Sequence, residues 1–236
     1  MRPATVNRRL EALRRLCRWA QAEGRLPADV AGAVRPVRTE RNRQPAGLST
    51  AEVHALLRVA GGSGHGHARR DYALVQLLVQ TGLRVGEVAA LRLADVELRE
   101  RTGQVRVRDG KGGKARDVPL NASARRALRL YLELRPGAPA DMPLFLSSRN
   151  APLPVRSIQA ILGRLARRAH LDRLPVSPHT LRHTFALNFL RANPGKLVEL
   201  ANLLGHDSLD TTAVYTRPSR DDLAADLERS PLNADR

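Results

Sequence analysis

Between residues 103 and 120 the chain changes its hydrophobic period. QVRVRD and KARDVPL alternate apolar and polar residues on either side of DGKGG, the pattern of two antiparallel strands joined by a glycine-rich turn. Nearly every other long stretch repeats its apolar residues at three and four positions, the period of an amphipathic helix. One interruption of this kind limits the fold to a mainly α architecture with a small antiparallel β-hairpin or sheet, an α+β class. Ser49 and Glu52 frame a capping box that starts a helix running to about Ala60. Further helices are expected at 68–80, from about Leu83, and at 121–134, 155–169, 178–192, 196–204 and 208–216. A short strand is expected near Leu144 to Leu146, and there is no internal repeat.

The first part of the chain is different in kind. Over residues 4–22, Val6, Leu10, Leu13, Leu16, Cys17 and Ala20 form one stripe of a helix whose other face is arginine, and Gly24 stops it. A second short helix is expected over Pro27 to Val34, followed by an exposed basic linker at 35–47. Residues 1–45 hold eleven arginines and four acids, a net +7. They read as a small basic domain or a remnant of one. The stretch GGSGHGH at 61–67 reads as a flexible connection, and the acidic segment after residue 217 as one last amphipathic helix.

Forty Lys and Arg against 23 Asp and Glu leave a formal charge of +17, which predicts attraction to a polyanion, with nucleic acid as the leading partner. A GC-rich coding bias would favour arginine over lysine, but it does not produce the excess over acids. Aromatic residues make up only 3%, too few for base-stacking platforms. Cys17 is the single cysteine, so neither an internal disulfide nor a cysteine metal site is available. The arginine-rich N-terminus has no apolar signal core and no stretch reaches membrane-spanning length, so a soluble, intracellular protein is expected.

Four motifs carry candidate chemistry. In PHTLRHTFALNFL, Leu181, Phe185, Phe189 and Leu190 define a buried face, and Ser177 with Pro178 suit a helix start. His179, Arg182 and His183 then share the first turns, where a helix N-terminus already favours an anion. His179 and His183 at i, i+4 would also suit a metal, but the general-base Glu of a zinc-protease helix is missing and Arg182 lies between them. In TGLRVGE, Arg84 starts a helix after a glycine turn, and Glu87, three residues on, can hold it. The hairpin tip carries Lys111 and Lys114. It lacks the Ser or Thr of a P-loop and joins two strands, so it suits entry into a DNA groove or proton donation. In LLGHDSLDTTAVYT, Gly205 ends a helix, His206 sits in the turn, and Tyr215 lies between polar neighbours, whereas Tyr72 and Tyr131 lie in apolar helices. Taken singly, the His179, Arg182 and His183 helix start and the Arg84–Glu87 pair read first as ordinary structure, and the hairpin lysines and Tyr215 have a structural reading too.

Taken in order and spacing, TGLRVGE, GKGGKARDVPL, HTLRHTFA and LLGHDSLDTTAVYT resemble the tyrosine recombinase (phage integrase) family over roughly residues 48–217. The resemblance implies that Arg84 and Arg182 are the catalytic arginines, Lys111 rather than Lys114 the hairpin lysine, and His179 and His206 the two histidines. It makes Tyr215 the nucleophile and Glu87 and His183 supporting residues. It implies site-specific cleavage and rejoining of double-stranded DNA through a 3′-phosphotyrosine, with no cofactor, metal or ATP. The implied organisation is a partial helical core-binding domain at 1–45, a catalytic domain at 46–217 and a tail at 218–236 that is a candidate oligomerisation helix. The two domains would clamp DNA, recombination would run on a homotetramer, and accessory DNA-bending or partner recombinase proteins are candidate partners. The expected location is the cytoplasm, on the nucleoid. Three rivals remain open at this stage. They are a DNA-binding module without recombination, a type IB topoisomerase-like enzyme, and a metal-dependent hydrolase using His179, His183 and His206.

Overall fold

The segment ALVQLLV at 73–79 offers no continuous polar face, so a helix containing it must be covered on several sides. The computed structural model, which describes residues 3–38, 47–62, 67–108, 115–206 and 212, places it that way. Helix α3 (Ala68–Thr81) packs against α2 (Thr50–Gly62), α5 (Ala122–Leu132) and α7 (Pro178–Ala192). Leu74, Leu77 and Leu78 are fully buried, each worth about 1.5–3 kcal/mol in apolar transfer. At its start the buried Asp71 carboxylate accepts from Arg70 (2.7 and 2.9 Å) and from Arg164 (3.1 Å) of α6 (Val155–Arg168). At its end Gly82 adopts φ +63°, and its N–H bonds the Leu78 carbonyl at 3.1 Å. A side chain at Gly82 would collide with the Phe185 ring and approach Leu204 Cδ2 to 2.8 Å, so the turn requires glycine for space as well as for conformation.

The remaining elements follow their sequence signals closely. Helix α4 (Val85–Ala90) is short, and α5 begins where the Asn121 side chain accepts from the Ala124 amide (3.0 Å). Helix α7 begins where Ser177 Oγ accepts from the Thr180 amide (3.1 Å), with Pro178 at its first position. Helix α8 (Leu197–Leu204) ends at Gly205, φ +63°. Three antiparallel strands, β1 (Val96–Leu98), β2 (Gly103–Val107) and β3 (Arg116–Pro119), lie in the order β1-β2-β3. The register pairs Val105 with Val118 and Val107 with Arg116, and Val105, Val107 and Val118 point into the core. Among the described residues no helix is long and apolar enough to cross a membrane.

Two contact-defined units divide the chain, Met1–Arg43 and Gln44–Arg236. In the first, α1 (Pro3–Ala22) buries Cys17, while Leu13 and Leu16 remain 50% and 56% exposed, so the expected apolar stripe is only partly covered. Pro27 to Val34 is not helical. The Asp29 side chain accepts from the Ala31 amide (3.1 Å), a local turn that competes with helix, and Arg14 Nη2 ties the Val34 carbonyl back to α1 (2.5 Å). The strand expected at Leu144 to Leu146 is likewise absent. Only isolated bridges form, at Pro143 and Pro152, because proline supplies no N–H to extend a ladder. Strand β1 was not expected: three residues are too short to show alternation. The helix expected at 208–216 lies outside the described residues except at Thr212, and so does most of the connection at 61–67.

The capping box at the start of α2 forms as its sequence requires. The Ser49 amide donates to Glu52 Oε2 (2.7 Å), and the Glu52 amide donates to Ser49 Oγ (3.2 Å). Arg173, between α6 and α7, adds a fork onto the same carboxylate (2.9 and 2.7 Å) and reaches the Gly47 carbonyl. The Arg173 hydrogen bonds outweigh partial burial and, with Ser49, lower the Glu52 pKa from 4.5 to about 2. A carboxylate whose folded pKa is depressed stabilises the fold above its unfolded pKa and stops doing so as pH falls through the folded one. Urea unfolding followed against pH should therefore show stability lost between pH 4.5 and about 2, and Glu52→Gln should flatten that slope.

Candidate active site

Five segment ends converge on one cluster: the end of α3, the start of α4, the start of β3, the first turns of α7 and the end of α8. Arg182 is at its centre and only 6% exposed. Its Nη1 donates to the Gly82 carbonyl (2.6 Å), and its Nη2 to the Leu204 carbonyl (2.8 Å) and to His206 Nε2 (2.8 Å). Guanidinium has no acceptor, so His206 Nε2 must supply the lone pair. The proton of that imidazole then resides on Nδ1, which donates to Thr212 Oγ1 at 2.8 Å. One contact chain thus fixes the tautomer of His206.

Beside it, Glu87 joins two further arginines. Its Oε1 accepts from Arg84 Nη1 (3.0 Å) and Arg116 Nη1 (2.9 Å). Its Oε2 accepts from Arg116 Nη2 (2.9 Å) and from the Arg84 amide (2.8 Å). Arg84 Nη2 reaches the Gly205 carbonyl (2.9 Å), and Arg116 Nε reaches that of Leu203 (3.1 Å). Burial alone would raise the Glu87 pKa, but the Arg116 hydrogen bond, the Arg84 amide and the charge of Arg116 together pull it below the ordinary value. The cluster therefore sets three guanidiniums against one carboxylate. The balance is carried by carbonyls at the C-terminal end of α8, where the helix dipole is negative. A site of this composition is built to receive an anion.

His179 and His183 occupy the exposed side of α7, their Nε2 atoms 2.7 Å apart and their rings edge to face. Burial, then the neighbouring His179 and Arg182, lower the His183 pKa from 6.5 to about 4, so this ring is neutral at pH 7. The structure links Arg84, Glu87, Arg182 and His206 into one network and pairs His179 with His183 on the same helix as Arg182. Lys111, Lys114 and Tyr215 lie outside the described residues. Arg108, the residue after β2, donates from Nε to the buried Asp95 at 2.6 Å. Among the described residues no group of three or more His, Cys, Asp or Glu could hold a metal.

Arg116, and the carbonyls of Gly82, Leu203, Leu204 and Gly205 that hold the three arginines, were not among the residues the sequence pointed to. A signal was present. In KARDVPL, Arg116 has the same strand parity as Val118, whose side chain is buried, so the alternation directs an arginine inward. An inward arginine demands an acidic partner.

The sequence model of the phage integrase family matches residues 47–221. A tyrosine recombinase XerC from Pelobacter propionicus is 36% identical over 227 residues, covering 94% of this chain and 72% of that protein. A tyrosine recombinase XerD from Mycobacterium leprae is 39% identical over 220 residues, covering 89% of this chain and 68% of its own. The crystal structure of XerA recombinase aligns with a TM-score of 0.67 at 31% identity, covering 94% of this chain and 75% of that one. A XerH site-specific recombinase bound to palindromic difH substrate, a post-cleavage complex, aligns with a TM-score of 0.70 at 25% identity, covering 85% of this chain and 57% of that one.

The histidine pair gives a direct test. In imidazole NMR the resonance lost in His183→Gln should titrate near pH 4 rather than 6.5, and His179→Ala should move that midpoint upward. Because the unfolded chain takes up this proton first, stability should also decline as pH falls from 6.5 toward 4.

Proposed function

The chain belongs to the phage integrase family, the tyrosine recombinases, and from that premise we propose that it cleaves and rejoins duplex DNA at specific sites through a 3′-phosphotyrosine on Tyr215. The observation that carries this reading is the anchoring of Arg84 and Arg182 from behind, by carbonyls at the ends of α3 and α8. Arg84 keeps 32% of its side chain exposed while bonded inward, the condition of a donor positioned before its ligand arrives.

In this mechanism the Tyr215 oxygen attacks phosphorus, the bond to the 5′ oxygen breaks, and the phosphate ester is transferred to tyrosine. Bond energy is conserved, so a 5′-hydroxyl from another strand can reverse the step without ATP. Arg84 and Arg182 neutralise the non-bridging oxygens as charge gathers, and losing one such donor costs roughly a hundred- to a thousandfold in rate. Lys111 protonates the leaving 5′ oxygen, His179 takes the tyrosine proton, and His206 helps hold the phosphate through Arg182, which it steadies. Glu87 fixes Arg84, and neutral His183 orients His179. A metal on His179, His183 and His206 fits poorly, since Nε2 of His206 already faces the Arg182 guanidinium and three arginines would repel a cation. The same reading assigns assembly to a homotetramer on DNA in the cytoplasm, with accessory DNA-bending or partner recombinase proteins as further partners. It gives residues 1–45 to DNA binding, 46–217 to catalysis and 218–236 to subunit contacts.

The test is covalent trapping in EDTA on a duplex pool carrying 5′-bridging phosphorothiolate, whose sulfur leaving group cannot religate efficiently. Wild type should form a protein–DNA adduct, and Tyr215→Phe should form none while binding DNA within about twofold, since only a hydroxyl is lost. DNA bound with no adduct would leave a binding module, and relaxation of supercoiled DNA without strand exchange would mark a topoisomerase-like enzyme. With a net charge of +17, affinity should also fall about a thousandfold or more between roughly 50 and 200 mM salt.

A further inference from the structure

We propose that Arg116 is a positioning residue for strand transfer, acting on the scissile phosphate only through Glu87 and Arg84. The inference rests on the recombinase reading above and assigns a role that the sequence motifs leave empty. Every nitrogen of the Arg116 guanidinium is engaged inward: Nη1 and Nη2 form a fork on Glu87 at 2.9 Å each, and Nε bonds the Leu203 carbonyl at 3.1 Å. Its side chain is 13% exposed against 32% for Arg84. A guanidinium held this way is poorly placed to meet DNA itself. It is well placed to decide where the Glu87 carboxylate lies, because a fork constrains both oxygens at once, which a lysine ammonium cannot do.

Glu87 in turn holds Arg84 at two points, by side chain at 3.0 Å and by amide at 2.8 Å. Without Arg116, Arg84 could pull the carboxylate round into a closed pair with itself, which would draw its guanidinium away from the phosphate. With Arg116 in place both oxygens are already committed, and Arg84 receives only a share of the negative charge. Gly205 matters to the same arrangement. A Cβ there would come within 2.8 Å of Arg116 Nη1 and 2.9 Å of Cζ, so the glycine that ends α8 also makes room for this arginine. Arg116 is in addition the first residue of β3, so the Glu87 carboxylate ties that strand to Arg84 at the start of α4.

The experiment is a double-mutant cycle read as the single-turnover rate of adduct formation on the phosphorothiolate duplex. Arg116→Lys and Arg116→Ala are each measured in the wild-type and in the Arg84→Ala background. Displacement of a reacting group by about an ångström costs around a hundredfold, so Arg116→Lys should slow cleavage at least about tenfold while leaving DNA affinity within about twofold. In the Arg84→Ala background the same change should alter the rate by less than about twofold, since its effect has no other route. On a neutral methylphosphonate duplex, which lacks the charge Arg84 would meet, the Arg116→Lys penalty should shrink, whereas a general loss of structure would slow both substrates alike. A full penalty persisting without Arg84, or wild-type speed in both Arg116 variants, would overturn the proposal. If Arg116→Ala melts below the assay temperature, Arg116→Lys decides the matter. Failure of the recombinase reading looks different, because wild type itself then gives no adduct on DNA that it binds.

Discussion

Burying positive charge is the constraint on which the rest of this structure depends. Arg84, Arg116 and Arg182 converge within one partly desolvated cluster; the first two share a single carboxylate, Glu87, and Arg182 is held by the Gly82 and Leu204 carbonyls and His206. Charges withdrawn from water destabilise a fold unless each is paired and hydrogen bonded. Here the shortfall is met by backbone: the carbonyls of Gly82, Leu203, Leu204 and Gly205 each accept from one of these arginines. Carbonyls become available in this way only where a helix stops, since inside a helix they are already bonded. The cluster therefore has to sit at helix ends, and the ends of α3 and α8 must meet.

That requirement reaches back into the choice of individual residues. Both helices stop at a glycine in the left-handed conformation, and neither position has room for a side chain, one facing Phe185 and the other Arg116. The apolar side of α7 packs Phe185 and Ala186 toward Leu200 and Leu204 of α8, which fixes the second helix end against the first. The core of the larger unit thus has a task beyond stability. Leu74, Leu77 and Leu78 hold α3 rigidly enough for the Gly82 carbonyl to stay within 2.6 Å of Arg182.

Most of this was legible in the sequence to the extent that it is local. Capping box, helix-starting Ser177 and Pro178, glycine stops and alternation in the hairpin are all short-range chemistry, and each element formed within a residue or two of its signal. The readings that failed were those in which a local pattern met a competing bond. Asp29 satisfied the Ala31 amide within the stretch expected to be helical from Pro27, and Pro143 and Pro152 denied a ladder to Leu144 and Leu146. In the site, residues that share an element were readable together: Arg84 with Glu87, and His179 with Arg182 and His183. The Arg116–Glu87 fork joins positions 29 apart, and the Arg182–Gly82 bond spans 100 positions. No spacing rule reports contacts of that kind. Only the parity of β3 hinted that Arg116 turns inward.

A cluster assembled from arginines and fixed dipoles also explains how a chain of this charge can fold before it meets its partner. A metal ion could concentrate similar charge with a few ligands, but it would arrive as a separate species. Here the charge is covalently part of the chain, and its solvation must be replaced during folding by Glu87 and four carbonyls. Those groups are already in place in the folded protein, so in the proposed reaction little reorganisation is needed for Arg84 to donate to a phosphate oxygen as a further partner. The geometry that makes the arginines tolerable in the folded protein is the same geometry that holds them ready for the anion.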